Sequence, residues 1–338
     1  MDNIREEMNF ALIAPTGIVV PSIIDKKTSK KYINWGEDNK LPDYLWDTYL
    51  KNSNLQAITN AVRDYVLGDG TDTNAPIKSN DLAKAILDYI IFGGFALEGI
   101  RSKKGEIVVL KYINVMNVRV DEDLTTAYIS NQWGQWGAKD LKELPLYNGN
   151  GQEHFVYYYR GDITRNINPV PMYIGALKSI EILNSTRNFH LNNLENNFSV
   201  NAIINLNNGN IKTRELEEIK NQLTEGFCGT NNAGKFLLVN GGDKEHAATI
   251  ERLQSDQFGD LYKALDESSK EDIFTAFRIN PMLVGVNVAT GFSKEEFANA
   301  FALYNRTVIK PLRTNVTECF EEMGFTLNFA DFKINWND

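Results

Sequence analysis

The stretch Phe274-Thr-Ala-Phe-Arg-Ile-Asn-Pro-Met-Leu-Val-Gly285 decides how the second half of the chain is organised. It closes a long helix predicted at about residues 255–279, because Asn280-Pro281 disfavours further helix. The segment that follows, Met282 to Phe292, is apolar and punctuated by glycine. Such a segment between two long helices is expected to be buried, mobile or pressed against a partner. Packing into the chain's own core is the open alternative.

A second helix begins directly after this loop. Ser293-Lys-Glu-Glu296 has the Ser-x-x-Glu spacing of a capping box, in which the serine and glutamate side chains satisfy backbone N–H groups. A helix is therefore predicted over about 294–323. Pro311 lies inside it and predicts a kink or a division into two helices.

The region before the decisive stretch is predicted to be helical at both ends. Asn168-Pro-Val-Pro171 predicts a stiff hinge that places proline at a helix start. A long helix follows at about 172–198. Residues 198–248 have a strand–helix–strand pattern, with Ala202-Ile-Ile-Asn-Leu206 as the first strand.

The N-terminal half changes from helical to strand periodicity. Apolar residues recur at three and four positions between Leu41 and Val66, which predicts helix, and the period becomes two between Ala96 and Arg160. The first 30 residues are predicted to be an exposed arm. Trp133 and Trp136 favour hairpin packing, with an aromatic ligand platform as the alternative.

Composition excludes several classes of protein. The 338 residues carry 35 Lys and Arg against 44 Asp and Glu, a formal net charge of −9. Nucleic-acid wrapping by the whole surface is disfavoured, because such binding rests on basic residues. The longest apolar run, Tyr89 to Leu97, is shorter than the ~20 residues of a membrane span. With no signal-peptide pattern at the start and only Cys228 and Cys319 as cysteines, we expect an intracellular, soluble chain without a disulfide framework.

One stretch of the sequence matches a nucleotide-binding motif, and the match is incomplete. Gly229-Thr-Asn-Asn-Ala-Gly-Lys235 has the Gly-x-x-x-x-Gly-Lys spacing of a phosphate-binding loop. Phe236 stands where a Ser or Thr should reach magnesium, and the segment leaves a helix and opens a strand rather than the reverse. A turn is favoured, so neither catalytic residues nor a cofactor or metal is assigned.

Four stretches carry a family resemblance. They are the hinge Asn168 to Gly175, the predicted strand Asn231 to Gly242, the segment Asp256 to Gly285, and Tyr304-Asn-Arg-Thr-Val-Ile-Lys-Pro311. In this order the chain resembles the portal proteins, or head–tail connectors, of tailed double-stranded DNA bacteriophages. The resemblance is weaker before residue 168, where Trp35 to Pro42 is similar to a stretch in some members.

The resemblance implies an α+β portal fold in a homo-oligomeric ring of twelve subunits at one capsid vertex. The implied parts are an α/β wing, a two-helix stem carrying a small strand–helix–strand clip, a tunnel loop, a kinked tunnel helix and a minimal crown. They correspond to wing 1–170, first stem helix 171–198, clip 199–248, second stem helix 249–279, tunnel loop 280–292, and tunnel helix with crown remnant 293–338.

The resemblance also implies functional residues and partners. The tunnel loop facing the DNA channel comprises Met282, Leu283, Val284, Gly285, Val286, Asn287, Val288, Ala289, Thr290, Gly291 and Phe292. The candidate phosphate contacts in the channel are Lys263, Lys270 and Arg278, which alternatively pair with Asp266 or Glu267. The residues facing terminase or adaptor in the clip are Asn208, Gly209, Asn210, Lys212 and Arg214.

The expected partners are the terminase large subunit, a head–tail adaptor, the major capsid and scaffolding proteins, and double-stranded DNA passing without sequence preference. No membrane is involved. The expected location is the virion vertex, and the host cytoplasm during assembly. Two other functions stay open: another ring-forming head-completion protein, and a nucleotide-binding enzyme using Gly229 to Lys235.

Overall fold

The computed structural model describes residues 20–27, 31–134, 137–161, 166–195, 202–205, 249–252, 258–285 and 293–333. The chain divides into two compact units. The larger unit comprises Val20–Ile180 and Ser269–Asp338, and the smaller comprises Met1–Val19 and Glu181–Ser268. The mixture of helices and antiparallel strands agrees with the predicted α+β class. Within the described part, no helix is both long and apolar enough to cross a bilayer.

Three helices open the larger unit: α1 Leu41–Lys51, α2 Ser53–Leu67 and α3 Ser79–Phe92. Leu45, Leu55, Ile58 and Val62 are fully buried, as the helical spacing predicts. The single pattern over 41–66 is interrupted at Asn52, whose side chain accepts a hydrogen bond from the Leu55 N–H and caps α2.

Short antiparallel strands form the rest of the larger unit before residue 161. The bounds are β1 Thr71–Thr73, β2 Phe95–Arg101, β3 Ile107–Ile113, β4 Val118–Val120, β5 Thr126–Ile129, β6 Gln132–Gly134, β7 Gly137–Lys139, β8 Lys142–Pro145 and β9 His154–Tyr159. They pair in the orders β3-β2-β9, β4-β5-β8 and β6-β7. The strand periodicity predicted between Ala96 and Arg160 is interrupted before β4, because Asn114 caps a 3-10 turn over Val115–Asn117.

The core beneath β4 contains a buried cation. Arg119 is 1% exposed and donates hydrogen bonds to Asn39 Oδ1 and to the carbonyls of Met116 and Val118. Its guanidinium lies 5.2 Å from the ring of Trp35 and 4.7 Å from that of Trp133. Burial lowers the pKa of Arg119 to about 10. Trp133 therefore packs against Arg119, which agrees with a packing role rather than a ligand platform. Trp136 lies outside the described residues.

Two helices cross the boundary between the units along the chain: α4 Leu177–Glu195 and α5 Phe258–Ala276. Within the smaller unit, β10 (Ala202–Asn205) pairs antiparallel with β11 (Thr249–Arg252). The first of these strands was predicted. The second was not, since a four-residue run is a weak periodic signal. The predicted helix and strand between 206 and 248 lie outside the described residues.

The backbone of the C-terminal helix widens into a π turn just before Pro311. Helix α6 (Lys294–Tyr304) runs into a π turn at Asn305–Ile309 and then into α7 (Lys310–Glu322). Pro311 lacks an N–H, and its ring would clash with the carbonyl of Thr307 in a regular turn. The Lys310 N–H instead donates to the Asn305 carbonyl, five residues back. The π turn thus divides the helix predicted over 294–323 into α6 and α7. Strand β12 (Leu327–Phe329) then pairs with β1.

Candidate functional site

The predicted loop site begins at the end of α5, where the backbone reverses. The Ile279 N–H donates to the Phe274 carbonyl at 3.1 Å, and the Arg278 N–H donates to the Thr275 carbonyl at 2.9 Å. This pair of bonds is the Schellman motif, which requires a left-handed residue after the helix. Arg278 fills that position with φ +53°, where glycine is usual. The exposed guanidinium of Arg278 is therefore carried on a strained backbone.

A 3-10 turn over Pro281–Val284 follows this reversal. The Asn280 side chain accepts from the Met282 N–H at 2.9 Å, and Pro281 occupies the first turn. Gly285 ends the turn with φ +78°. Leu283 is 4% exposed, and its carbonyl accepts a 2.6 Å hydrogen bond from the hydroxyl of Tyr65 on α2. The first part of the predicted loop is thus anchored to the larger unit.

An aromatic cluster surrounds this anchor. The ring of Tyr65 lies 5.1 Å from that of Phe301, 6.5 Å from that of Tyr304 and 5.2 Å from that of Phe332. Burial raises the pKa of Tyr65, and the charge of Asp64 adds to the rise. Burial also raises the pKa of Tyr304, against the opposing positive charge of Arg278. Both tyrosines are therefore neutral side chains that hold α6 near the loop anchor.

The far side of the loop is fixed by the capping box that the sequence predicts. The Glu296 N–H donates to Ser293 Oγ, and the Ser293 N–H donates to Glu296 Oε2, each at 3.1 Å. Residues 286–292 lie between the Gly285 turn and this cap and outside the described residues. They include seven of the eleven residues predicted for the tunnel loop.

The described part of the predicted loop divides by burial. Met282 and Val284 are half-buried, and Gly285 is exposed. The buried side chain of Leu283 serves as an anchor rather than as a surface for a ligand. A glycine-punctuated apolar pattern does not distinguish these two roles, so sequence reasoning grouped them.

The three basic residues predicted to contact phosphate have different surroundings. Lys263 and Arg278 are exposed, whereas Lys270 is half-buried. Asp266, a suggested alternative partner for them, lies 4.0 Å from Arg187 Nε. The five predicted clip residues and the segment Gly229 to Lys235 lie outside the described residues. Within the described residues no cluster of His, Cys, Asp and Glu suits a metal ion.

The fixing of the segment before α4 by Asp25 was missed by sequence reasoning. The carboxylate of Asp25 accepts hydrogen bonds from the N–H groups of Gly36, Ile167 and Asn168, at 3.1, 2.8 and 2.7 Å. Burial raises the pKa of Asp25, and these N–H donors oppose the rise. Asp25 was predicted to belong to an exposed arm, and for this residue that prediction is wrong. Two of its partners lie about 140 positions away, so no local pattern could reveal them.

The segment predicted as a hinge is held on its other side as well. The indole N–H of Trp35 donates to the Pro169 carbonyl at 3.1 Å, and Asn168 and Val170 are buried. A Cβ on Gly93 would stand 2.2 Å from the Val170 carbonyl oxygen. The chain therefore enters α4 from a fixed position, which agrees with the stiffness predicted for this segment.

The fold is similar to that of several solved structures. A chain in the virion of a native gene transfer agent particle superposes with a TM-score of 0.56 at 13% identity, covering 85% of this chain and 83% of that one. A chain in the neck of such a particle, computed with C12 symmetry, gives 0.54 at 13% identity, covering 86% and 84%. An HK97-family phage portal protein from Corynebacterium diphtheriae gives 0.51 at 10% identity, covering 84% and 94%.

Sequence comparison supplies a relative and a family. An uncharacterized protein of Rickettsia bellii is 31% identical over 116 residues, which are 34% of this chain. The matched part spans 28% of that relative's length. The family model of the phage portal proteins matches residues 74–338, which include β2 to β9 and all the C-terminal elements described above. The chain therefore belongs to the phage portal protein family.

Proposed function

We propose that this chain assembles into a closed ring at one vertex of a phage-type capsid and forms the channel through which double-stranded DNA enters and leaves. The observation that carries the proposal is the family match over residues 74–338. The fold likeness to chains of gene transfer agent virions and necks supports a place in a particle. One of these necks was computed with C12 symmetry, and we extend a ring of twelve to this chain.

In this proposal the parts of the chain keep the roles that the resemblance implied. Residues 1–170 form the wing, the helices over 171–198 and 249–279 form the stem, and 199–248 form the clip. The loop 280–292 faces the channel, and residues 293–338 form the tunnel helix and a short crown remnant. Leu283 anchors the loop, so Val286 to Phe292 are the residues we assign to the channel surface.

The net negative charge of the chain suits a channel that DNA passes through better than a surface that binds DNA tightly. A channel for DNA of every sequence should bind phosphates weakly, since each basic contact adds to affinity and therefore to friction. The net charge of −9 and the uncharged loop Val286 to Phe292 agree with weak contact. Arg278, exposed beside this loop, would supply a transient phosphate contact, with Lys263 and Lys270 as further candidates on α5.

The partners follow from the same role. Translocation needs energy, so we assign nucleotide hydrolysis to a separate terminase large subunit that docks on the clip, near Asn208 to Arg214. A head–tail adaptor, the major capsid protein and scaffolding protein are the other partners. The chain itself acts as a structural protein without a cofactor, in the virion and, during assembly, in the host cytoplasm.

Deletion of Val286 to Gly291 tests the role of the loop. Both ends of the deletion are fixed, by the Tyr65–Leu283 hydrogen bond and by the Ser293 cap. Rings should therefore form normally while packaged DNA per particle falls sharply. A matched control deletes Gly149 and Asn150 from an exposed turn of the wing and should leave packaging unchanged. Normal packaging by the loop deletion would overturn the assignment of the channel loop.

A further inference from the structure

An open groove runs between α7 and the outer edge of β12. It measures about 380 Å³, and its lining includes Lys310, Arg313, Thr317, Glu318, Glu321 and Phe329. The Ala330 N–H donates to the Gly70 carbonyl, so Ala330 is a hydrogen-bonded position of the β1–β12 pair. Hydrogen-bonded and non-hydrogen-bonded positions alternate along an antiparallel pair. The N–H and C=O of Phe329 therefore point away from β1 and toward the groove. The groove thus combines the half-buried ring of Phe329 with a strand edge at which the backbone groups of Phe329 face away from β1.

The groove has a basic and an acidic end. Arg313 stacks over Phe329 at 5.4 Å and donates to the Ala330 carbonyl, so Lys310 and Arg313 lie near the end of β12. Thr317 donates to the Leu327 carbonyl, so Glu318 and Glu321 lie near its start. Lys310, Glu318 and Glu321 are exposed, and within the described residues no ion pair is formed by these three.

The β2–β3 hairpin presents a surface of complementary character. Ile100, Val108 and Val109 are 39%, 47% and 39% exposed, which places three large exposed apolar side chains at one hairpin tip. Val108 has no cross-strand partner, because Ile100 pairs with Val109 and Arg101 pairs with Ile107. Such a bulge interrupts edge-to-edge pairing and re-aims side chains. A contact here would be made by side chains rather than by a long ladder of backbone bonds.

The charges of the hairpin match those of the groove in order and spacing. Glu106 precedes the exposed valines and Lys111 follows them, and both are exposed. If β3 of the hairpin lies antiparallel to β12, the start of β3 is next to the end of β12. Glu106 is then close to Lys310, and Lys111 is close to Glu321. Glu106 to Lys111 spans about 16 Å in extended chain, and Lys310 to Glu321 spans about 16 Å along a helix. The exposed Lys103 and Lys104 of the turn then lie beyond the basic end, where Asp331, which is ion-paired with Arg313 at 3.0 Å, follows β12.

We propose that the tip of the β2–β3 hairpin of one copy of this chain docks in the α7–β12 groove of the next copy. The two surfaces differ, so the contact is heterologous, and a heterologous contact generates a ring where its rotation closes. The inference rests on the proposed ring, and it names the two faces through which neighbouring wings meet. Apolar burial of the three hairpin side chains drives the contact, and the two charge pairs fix its register.

Paired cysteines test this contact directly. In a Cys228→Ser background, in which Cys319 is buried, Val108→Cys and Asn328→Cys are placed on the same chain and treated with a short bis-maleimide. A heterologous contact predicts a covalent ladder of dimer, trimer and higher species. Each single cysteine variant is the matched control and should give no ladder beyond the dimer.

Charge reversal provides the second arm. Glu106→Lys should weaken association about tenfold per contact, and Lys310→Glu in the same chain should restore it. Rings that form without a ladder, and that tolerate Glu106→Lys unchanged, overturn this inference and leave the proposed function standing. Absence of any ring from the unmodified chain, both alone and with its capsid partners, overturns the proposed function itself.

Discussion

The hydroxyl of Tyr65 donates a 2.6 Å hydrogen bond to the backbone carbonyl of Leu283, across 218 positions of the chain. This bond joins helix α2 to the start of the candidate channel loop. It explains why the loop is anchored shortly after α5, although the pattern of the loop sequence does not set Leu283 apart from its apolar neighbours. A change at Tyr65 should therefore affect the loop before it affects the fold as a whole.

Tyr65→Phe removes the hydroxyl and leaves the Leu283 carbonyl without this donor. We expect a loss of about 1 kcal/mol in the free energy of unfolding and faster amide exchange at residues 281–285. Tyr49→Phe is the matched control, because its hydroxyl lies 3.4 Å from Asn60 and far along the chain from the loop. Unchanged exchange at 281–285 in Tyr65→Phe would contradict the anchoring role.

The left-handed backbone of Arg278 predicts an unusual pair of substitutions. Arg278→Gly relieves the strain and should stabilise the protein by about 0.5–1 kcal/mol. Arg278→Ala keeps the strain and should leave stability near that of the original chain. Both variants lose the charge, so both should show the same change in DNA retention if Arg278 contacts phosphate. Urea unfolding and retained DNA per particle separate the two effects, and equal stability of the two variants would contradict the strain.

Gly93 permits the close approach of the segment that enters α4. In Gly93→Ala the new Cβ would stand 2.2 Å from the Val170 carbonyl oxygen, at φ +85°. We expect a loss of more than about 2 kcal/mol, since a buried backbone segment must move. Gly105→Ala is the control, with φ +84° and nothing within 4 Å, and should cost only about 1 kcal/mol. Similar costs measured by urea unfolding would show that the contact with Val170 is unimportant.

Asp88 should make stability depend on pH. It is buried on α3, where it accepts hydrogen bonds from the Tyr112 hydroxyl and the Val115 N–H. Burial raises its pKa from 3.8 to about 7, against these hydrogen bonds. The folded state therefore holds the proton more tightly than the unfolded state, and the resulting stability is full below pH 3.8 and is lost as pH rises through about 7.

Asp88→Asn removes this titration. Between pH 5.5 and pH 8 the original chain should lose more stability than the variant does, as measured by chemical unfolding at both values. The comparison cancels the contribution of other ionisable groups, because they are common to both proteins. Parallel pH profiles would contradict a raised pKa at Asp88.

Sequence reasoning succeeded where the signal is local. The capping box at Ser293 and the strand periodicity between Ala96 and Arg160 follow from neighbouring residues. The helix predicted to end at about 279 ends at Ala276, because Arg278 adopts a left-handed backbone. Sequence reasoning failed where a distant partner decides. Asp25 is fixed by residues about 140 positions later, and the carbonyl of Leu283 is held by Tyr65. The π turn before Pro311 also escaped prediction, since proline is compatible with a kink, a break or a widened turn.

The central claim is assembly into a ring with a channel. Native mass spectrometry of the purified chain over a wide range of concentration, with electron microscopy of the same sample, tests it most directly. The proposal predicts a closed ring, with twelve copies as the main species and a central opening of DNA width. A chain that stays monomeric at the highest concentrations, both alone and with its capsid partners, would contradict it.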